Sequence, residues 1–280
     1  MFQQCPVSHF FKTTAHAAIY AKFRPVAPSA LIDRIVKFVT EKASPQLAVD
    51  IGCGPGTSSG VLAPHFQQVH AYDVSEAQIE EAKANNRIAN LTYGVADAEA
   101  IPEASGSAQL ITAAQCAHWF DLDKFYAEAE RVLSPGGVLA LYGYLIPVPV
   151  SKDQAKMDKL IHDELYMGCL EKHWTKQRKV IDNMYRDLRL PFDDIVRDES
   201  FEDRKVQSVA DYLNYACTWS AYQAHLKENP EEAKGLIARL TSALMDTYGD
   251  GTGTPATTSM EVKIQYFLVM GRKPATGVPH

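Results

Sequence analysis

An apolar strand that runs straight into clustered glycines leaves a chain few ways to fold, and residues 47–56 are such a segment. Leu47-Ala48-Val49-Asp50-Ile51 is a nearly unbroken apolar run of strand length, and Gly52-Cys53-Gly54-Pro55-Gly56 comes next without a spacer. A strand apolar on both faces belongs inside a sheet covered by helices. Glycines at its carboxyl end permit positive φ and let the backbone approach a ligand closely. Any tight strand-to-helix turn can use such glycines, so the loop takes its meaning from the strands and carboxylates downstream of it.

From about Pro45 to Leu145, short apolar runs alternate with helical segments, the pattern of a parallel sheet with helices on both faces. A helix is expected from the glycines to about Phe66, then a strand over Val69–Tyr72 ending at Asp73. Ser75 and Gln78 form a capping box for the next helix. Further strands are expected at Leu91–Ala96, Leu110–Ala114 and Val138–Leu145, with a helix over Asp121–Leu133 stopped by Ser134-Pro135-Gly136-Gly137. Upstream, Leu31, Ile32, Ile35, Val36 and Val39 share a helix face. Residues 151–246 read as mostly helical and rich in Tyr, Trp, His and charge, with a possible strand near 195–206. Val262, Ile264, Tyr266 and Leu268 alternate in a last strand, Met260–Met270, after a Gly/Thr-rich loop.

Net charge is −6 with no Lys/Arg cluster, which weighs against a nucleic-acid target. Cys5, Cys53, Cys116, Cys169 and Cys217 are odd in number and scattered, as reduced thiols in a cytoplasmic protein would be. No clustered His/Cys/carboxylate set suggests a metal. The segment Met1–Phe11 lacks the order of a signal peptide, and the longest apolar run, Val138–Val150, is too short to span a bilayer. A cytoplasmic chain without membrane partners is expected; its oligomeric state is not readable.

Asp73 lies 19 residues after Gly54, where a carboxylate can accept both hydroxyls of a ribose. Asp97 comes after the third strand, in place for an adenine edge. An NAD enzyme would space its glycines as Gly-x-Gly-x-x-Gly; here they fall at 52, 54 and 56. The segment Leu47–Gly137 resembles class I S-adenosylmethionine-dependent methyltransferases, with an acidic residue before Gly-x-Gly-x-Gly and a later Leu133-Ser134-Pro135-Gly136-Gly137 turn. That resemblance implies a Rossmann-like, seven-stranded, mostly parallel sheet and S-adenosylmethionine as cofactor. It implies Gly52, Cys53 and Gly54 at the methionine part, Asp73 at the ribose, and Asp97 with Ala98 at the adenine, with Asp50 and Val74 also among the cofactor-binding residues. Gln115 and Cys116 would lie near the sulfonium.

Two further stretches resemble the trans-aconitate methyltransferase-like group: Tyr20-Ala21-Lys22-Phe23-Arg24-Pro25, and Gln115 to Asp121 with Ala117-His118-Trp119-Phe120. Thr218-Trp219-Ser220 resembles a segment of its fungal members. The resemblance implies Tyr20 over the cofactor, with Tyr20, Trp119 and Trp219 toward the substrate. It also implies a cap (1–44), a cofactor-binding core (45–150), a helical lid (151–246) and a closing loop and strand (247–280). A small-molecule acceptor is expected, foremost the carboxylate of an organic acid. An ionised carboxylate needs no base but needs a cationic or hydrogen-bonding clamp, for which Arg24 and His118 are candidates. For an amine or phenol, His118 could take the proton. N- or S-methylation, a macromolecular acceptor and a catalytically silent cofactor-binding regulator stay open. So do plainer roles: Trp119 and Trp219 as core packing, and His162, His173 and Trp174 as lid surface or packing.

Overall fold

The computed structural model describes residues 24–275. Helix α1 (Ser29–Thr40) buries Leu31, Ile32, Ile35, Phe38 and Val39, the stripe its spacing requires. Strand β1 (Leu47–Ile51) is buried throughout. After it come the one-turn helix α2 (Thr57–Gly60), β2 (Gln68–Asp73), α3 (Glu76–Asn85), β3 (Leu91–Val95), β4 (Ala108–Ala114), α4 (Leu122–Val132) and β5 (Leu133–Tyr144). The helix expected to reach Phe66 stops at Gly60, and turns carry Leu62 and Phe66 into the core. Pro64 explains the difference, since in a continuing helix its ring would clash with the carbonyl of Gly60. Ser75 caps α3 as expected, its Oγ accepting the Gln78 N–H at 3.4 Å. Strand β5 starts five residues early, at Leu133, because that residue pairs with Ala108 across an irregularity before Val138 pairs with Leu110.

Downstream come the short strand β6 (Val148–Pro149), α5 (Gln154–Asp158), a π-helical segment (Lys159–Cys169), a turn at Glu171–His173 and α6 (Arg178–Asp182). Two strands, β7 (Asp193–Asp198) and β8 (Glu202–Ser208), occupy the region where one was suspected. Helices α7 (Val209–Cys217), α8 (Ser220–Glu228) and α9 (Pro230–Tyr248) precede the 14-residue β9 (Ser259–Arg272).

Seven strands form the main sheet in the order β3-β2-β1-β4-β5-β9-β7. The first five are parallel to one another, and β9 runs antiparallel to β5 and β7. This is the Rossmann-like arrangement. Two additions exceed the expectation: the first half of β9, Ser259–Gln265, projects past β5 and pairs with β8 and β6, giving nine strands among the described residues. Successive β1 side chains alternate between cores. Ala48 joins the layer with α1 and α3, while Val49 and Ile51 join Phe125 of α4 and Tyr185. All parallel strands therefore end on one side, where an open sheet of this kind holds its ligand. Among the described residues no helix is long and apolar enough to cross a membrane.

Candidate active site

The glycine loop leaves β1 with Gly52, Gly54 and Gly56 at φ 68°, 54° and 92°, conformations that L side chains avoid. At Gly52 a Cβ would also come within 2.6 Å of Cys116 Sγ. Asp50 was expected to touch the cofactor, but its fully buried carboxylate faces inward. It accepts the hydroxyls of Ser58 (2.6 Å), Ser59 (2.7 Å) and Thr112 (2.8 Å), tying the loop to α2 and β4. Burial raises its pKa against the pull of those three donors.

Asp73, at the end of β2, holds the loop's tip: Oδ2 accepts Gly54 N–H and Oδ1 accepts Ser75 N–H, both at 2.9 Å. Burial raises its pKa too, and the two backbone bonds oppose the shift. Val74 beside it is exposed, Asp97 is exposed after β3, and Ala98 is buried. These four lie along the strand ends and are not among the residues that line the cleft beside the glycine loop.

The cleft, a space of about 570 Å³ that includes open solvent, runs between Gly52–Pro55 on one side and Gln115, Tyr144 and Tyr266 on the other, with Arg24–Ala27 across it. Gln115 adopts φ 58°, a sparsely populated conformation for a non-glycine residue that needs support. The support is a double clip. Its Nε2 donates to Tyr144 O at 3.1 Å and its Oε1 accepts Tyr144 N–H at 2.8 Å. Gly143 makes room, since a Cβ there would lie 2.5 Å from Gln115 Oε1. The Cys116 thiol donates to Ile51 O at 3.2 Å, and burial pushes its pKa well up, so it stays protonated and packs under Gly52.

A second cavity, a space of about 580 Å³ that includes open solvent, adjoins the first, sharing Arg24 and Gln115 with it. His118, Trp119 and Trp219 line it, so the structure brings together the residues expected at the substrate. Tyr20 lies outside the described residues. The His118 ring stands 4.9 Å from that of Trp119, and its Nδ1 is 3.2 Å from the Tyr185 hydroxyl. Burial, helped by the charge of Arg178, pushes the His118 pKa down to about 3. The ring is therefore neutral at neutral pH; it can exchange hydrogen bonds but supplies no cationic clamp. Arg24 donates to the Tyr144 hydroxyl (3.2 Å) and to Thr218 O (3.1 Å) and lies 5.5 Å from the Tyr215 ring centre.

Sequence reasoning missed Arg178 and undervalued Trp174, which lines the cavity rather than the surface. Arg178 Nε donates to the Tyr166 hydroxyl and to Asp182 Oδ1, and its guanidinium lies 5.3 Å and 5.1 Å from the Tyr166 and Trp174 rings. The available signal was the four-residue spacing of Arg178 and Asp182, which places them on one edge of α6.

A methyltransferase-domain family model matches residues 49–141. A protein of Dictyostelium discoideum named as a methyltransferase is 30% identical over 91% of this chain and 92% of its own length. A solved structure of a type II methyltransferase from Anaeromyxobacter dehalogenans is 33% identical, with a TM-score of 0.73 over 90% of this chain and 99% of its own. A trans-aconitate 2-methyltransferase of Methylobacterium radiotolerans is 33% identical over 44% of this chain and 47% of its own length. The glycine loop, the sheet order and these likenesses agree: the chain belongs to the S-adenosylmethionine-dependent methyltransferases of the class I, Rossmann-like fold.

Proposed function

We propose that the chain methylates a carboxylate oxygen of a small organic acid. One observation carries the reading: the cavity beside the cofactor cleft holds two guanidiniums, Arg24 and Arg178, and a neutral imidazole, His118, within aromatic walls. The cleft suits S-adenosylmethionine, because Gly54 at φ 54° has open space where a side chain would stand and the Asp73 carboxylate sits beside its N–H. When bound, the cofactor supplies an electrophilic methyl on a sulfonium. Gln115, clipped to Tyr144, forms the shared boundary of the two cavities and so fixes where an acceptor atom can approach. Arg24 spans the same boundary and stabilises negative charge there. Trp119, Trp174 and Trp219 exclude water and restrict the approach angle, the main resources for an in-line displacement.

An amine or phenol would have to lose a proton, and a base with a pKa near 3 accepts one poorly at neutral pH. A carboxylate is already ionised there. The cavity's mix of aromatic walls with a few polar and cationic groups suits a small molecule, and the relative named as a trans-aconitate methyltransferase supports an acid. The test is incubation with methyl-labelled cofactor and a panel of organic acids. Alkali-labile label, released as methanol, is expected of a methyl ester. Label that survives alkali would overturn the carboxylate assignment in favour of methylation at nitrogen, sulfur or a phenol oxygen.

A further inference from the structure

We infer that Arg178 is an anion-binding fork for a second, non-reacting group of the acceptor, so the acceptor carries two negative groups. The inference rests on the carboxylate reading above and adds which residue selects the acceptor and by what chemistry.

The guanidinium is held on three sides. Its Nε is taken by the Tyr166 hydroxyl and Asp182, and its plane lies among the rings of Tyr166 and Trp174. Tyr166 is anchored in turn, since its hydroxyl donates to Asp182 Oδ1 at 2.7 Å. The two terminal nitrogens make no hydrogen bond with any described residue, although the side chain is only 15% exposed. A guanidinium has five N–H donors in a fixed plane, and the pair of terminal groups matches the two oxygens of a carboxylate or phosphate. Asp182 is 39% exposed, so water screens its charge while Arg178 acts on the cavity. Burial is the main cause of the lowered pKa of His118, and the Arg178 charge adds to it.

Position assigns this fork to a remote group. Arg24 and Gln115 border both cavities, whereas Arg178 borders only the acceptor cavity. The methyl group must arrive across the shared boundary, so the reacting oxygen belongs at the Arg24 end. A bidentate fork would occupy both oxygens of the carboxylate it holds, which suits a group that is to be spared. An acid with a single carboxylate would be drawn to Arg178 and held away from the methyl donor. A second charge lets one group satisfy the fork while the other reaches the boundary.

The probes are the linear dicarboxylates from succinate to suberate, together with phenylsuccinate and the half-amide of each. Binding is read by tryptophan fluorescence with S-adenosylhomocysteine present. Wild-type protein is expected to bind its best diacid roughly 10- to 100-fold more tightly than the matching half-amide, the scale of a charge-assisted pair. In Arg178→Met that ratio falls to about one, and Arg178→Lys restores part of it because the charge returns without the fork. Normal binding of S-adenosylhomocysteine by both variants shows that the fold is intact. Should Arg178→Met not fold, the partial loss in Arg178→Lys decides the matter alone. A wild-type ratio near one, or a ratio that neither substitution changes, overturns the second-anion assignment and leaves the carboxylate reading standing. Wild-type protein that binds no acid in the panel overturns both.

Discussion

His118 offers a direct test of the site's electrostatics through stability. In the unfolded chain its imidazole titrates near 6.5, whereas in the folded protein it is pushed down to about 3. A histidine with a depressed folded pKa contributes nothing adverse above 6.5. As pH falls below that value the unfolded chain takes up a proton that the folded protein refuses, and stability is lost until pH reaches the folded pKa. From about pH 7.5 to about pH 5 the full shift would cost about 2 kcal/mol. The residue lines the second cavity, where water softens the penalty, so about 1–2 kcal/mol is expected. His118→Gln has no group that titrates there. Urea denaturation of both proteins at the two pH values isolates the effect, because other titrating groups cancel in the difference. The stability of wild type relative to the variant should fall by about 1–2 kcal/mol on acidification. A difference that stays constant would refute the buried, neutral imidazole, and with it the case that His118 is too weak a base to deprotonate an acceptor.

Asp73→Ala removes the acceptor for two backbone N–H groups, that of Gly54 at the loop tip and that of Ser75 at the start of α3. Calorimetry should show S-adenosylhomocysteine binding weakened by about 1–3 kcal/mol; unchanged affinity would detach Asp73 from the cofactor site. In Gly143→Ala the new methyl meets Gln115 Oε1 and, at 2.6 Å, the Phe267 ring. Overpacking and loss of the Gln115 clip should together cost about 2–4 kcal/mol, read as a lowered denaturation midpoint, and a midpoint equal to wild type would count against the clip. Near neutral pH, iodoacetamide should modify the exposed Cys169 well before Cys116, whose thiol is held protonated. Peptide mass spectrometry showing Cys116 alkylated first would contradict that state.

The cofactor half was legible because its determinants are local. The apolar run 47–51, the glycines after it and the carboxylate closing β2 lie close together in the chain, and backbone conformation ties them to one end of the sheet. His118, Trp119 and Gln115 were legible for a related reason, since the end of β4 is a fixed point in such a sheet. Asp50 was placed on the correct element and given the wrong direction. Alternation says which face a residue occupies, and only the path of the chain after Gly56 decides whether ligand or Ser58 and Ser59 lie on that face. Arg178 was missed because α6 is five residues long, too short to carry a stripe, and its neighbours Tyr166, Tyr215 and Trp219 come from separate segments. The double pairing of β9 was hidden likewise: alternating residues from Val262 to Leu268 show one buried face and say nothing about which strands lie at either edge.

Strand β9 also separates what this fold can change from what it must keep. Its second half, Tyr266–Arg272, completes the hydrogen bonding of the cofactor-holding sheet, while its first half ends in a small ladder with β6 and β8. Segments grafted onto that outer ladder can be lengthened, shortened or exchanged without breaking a backbone bond beneath the glycine loop. The strand works as a mounting rail, on which a new acceptor-binding cover could be fitted to an unchanged methyl-donor engine.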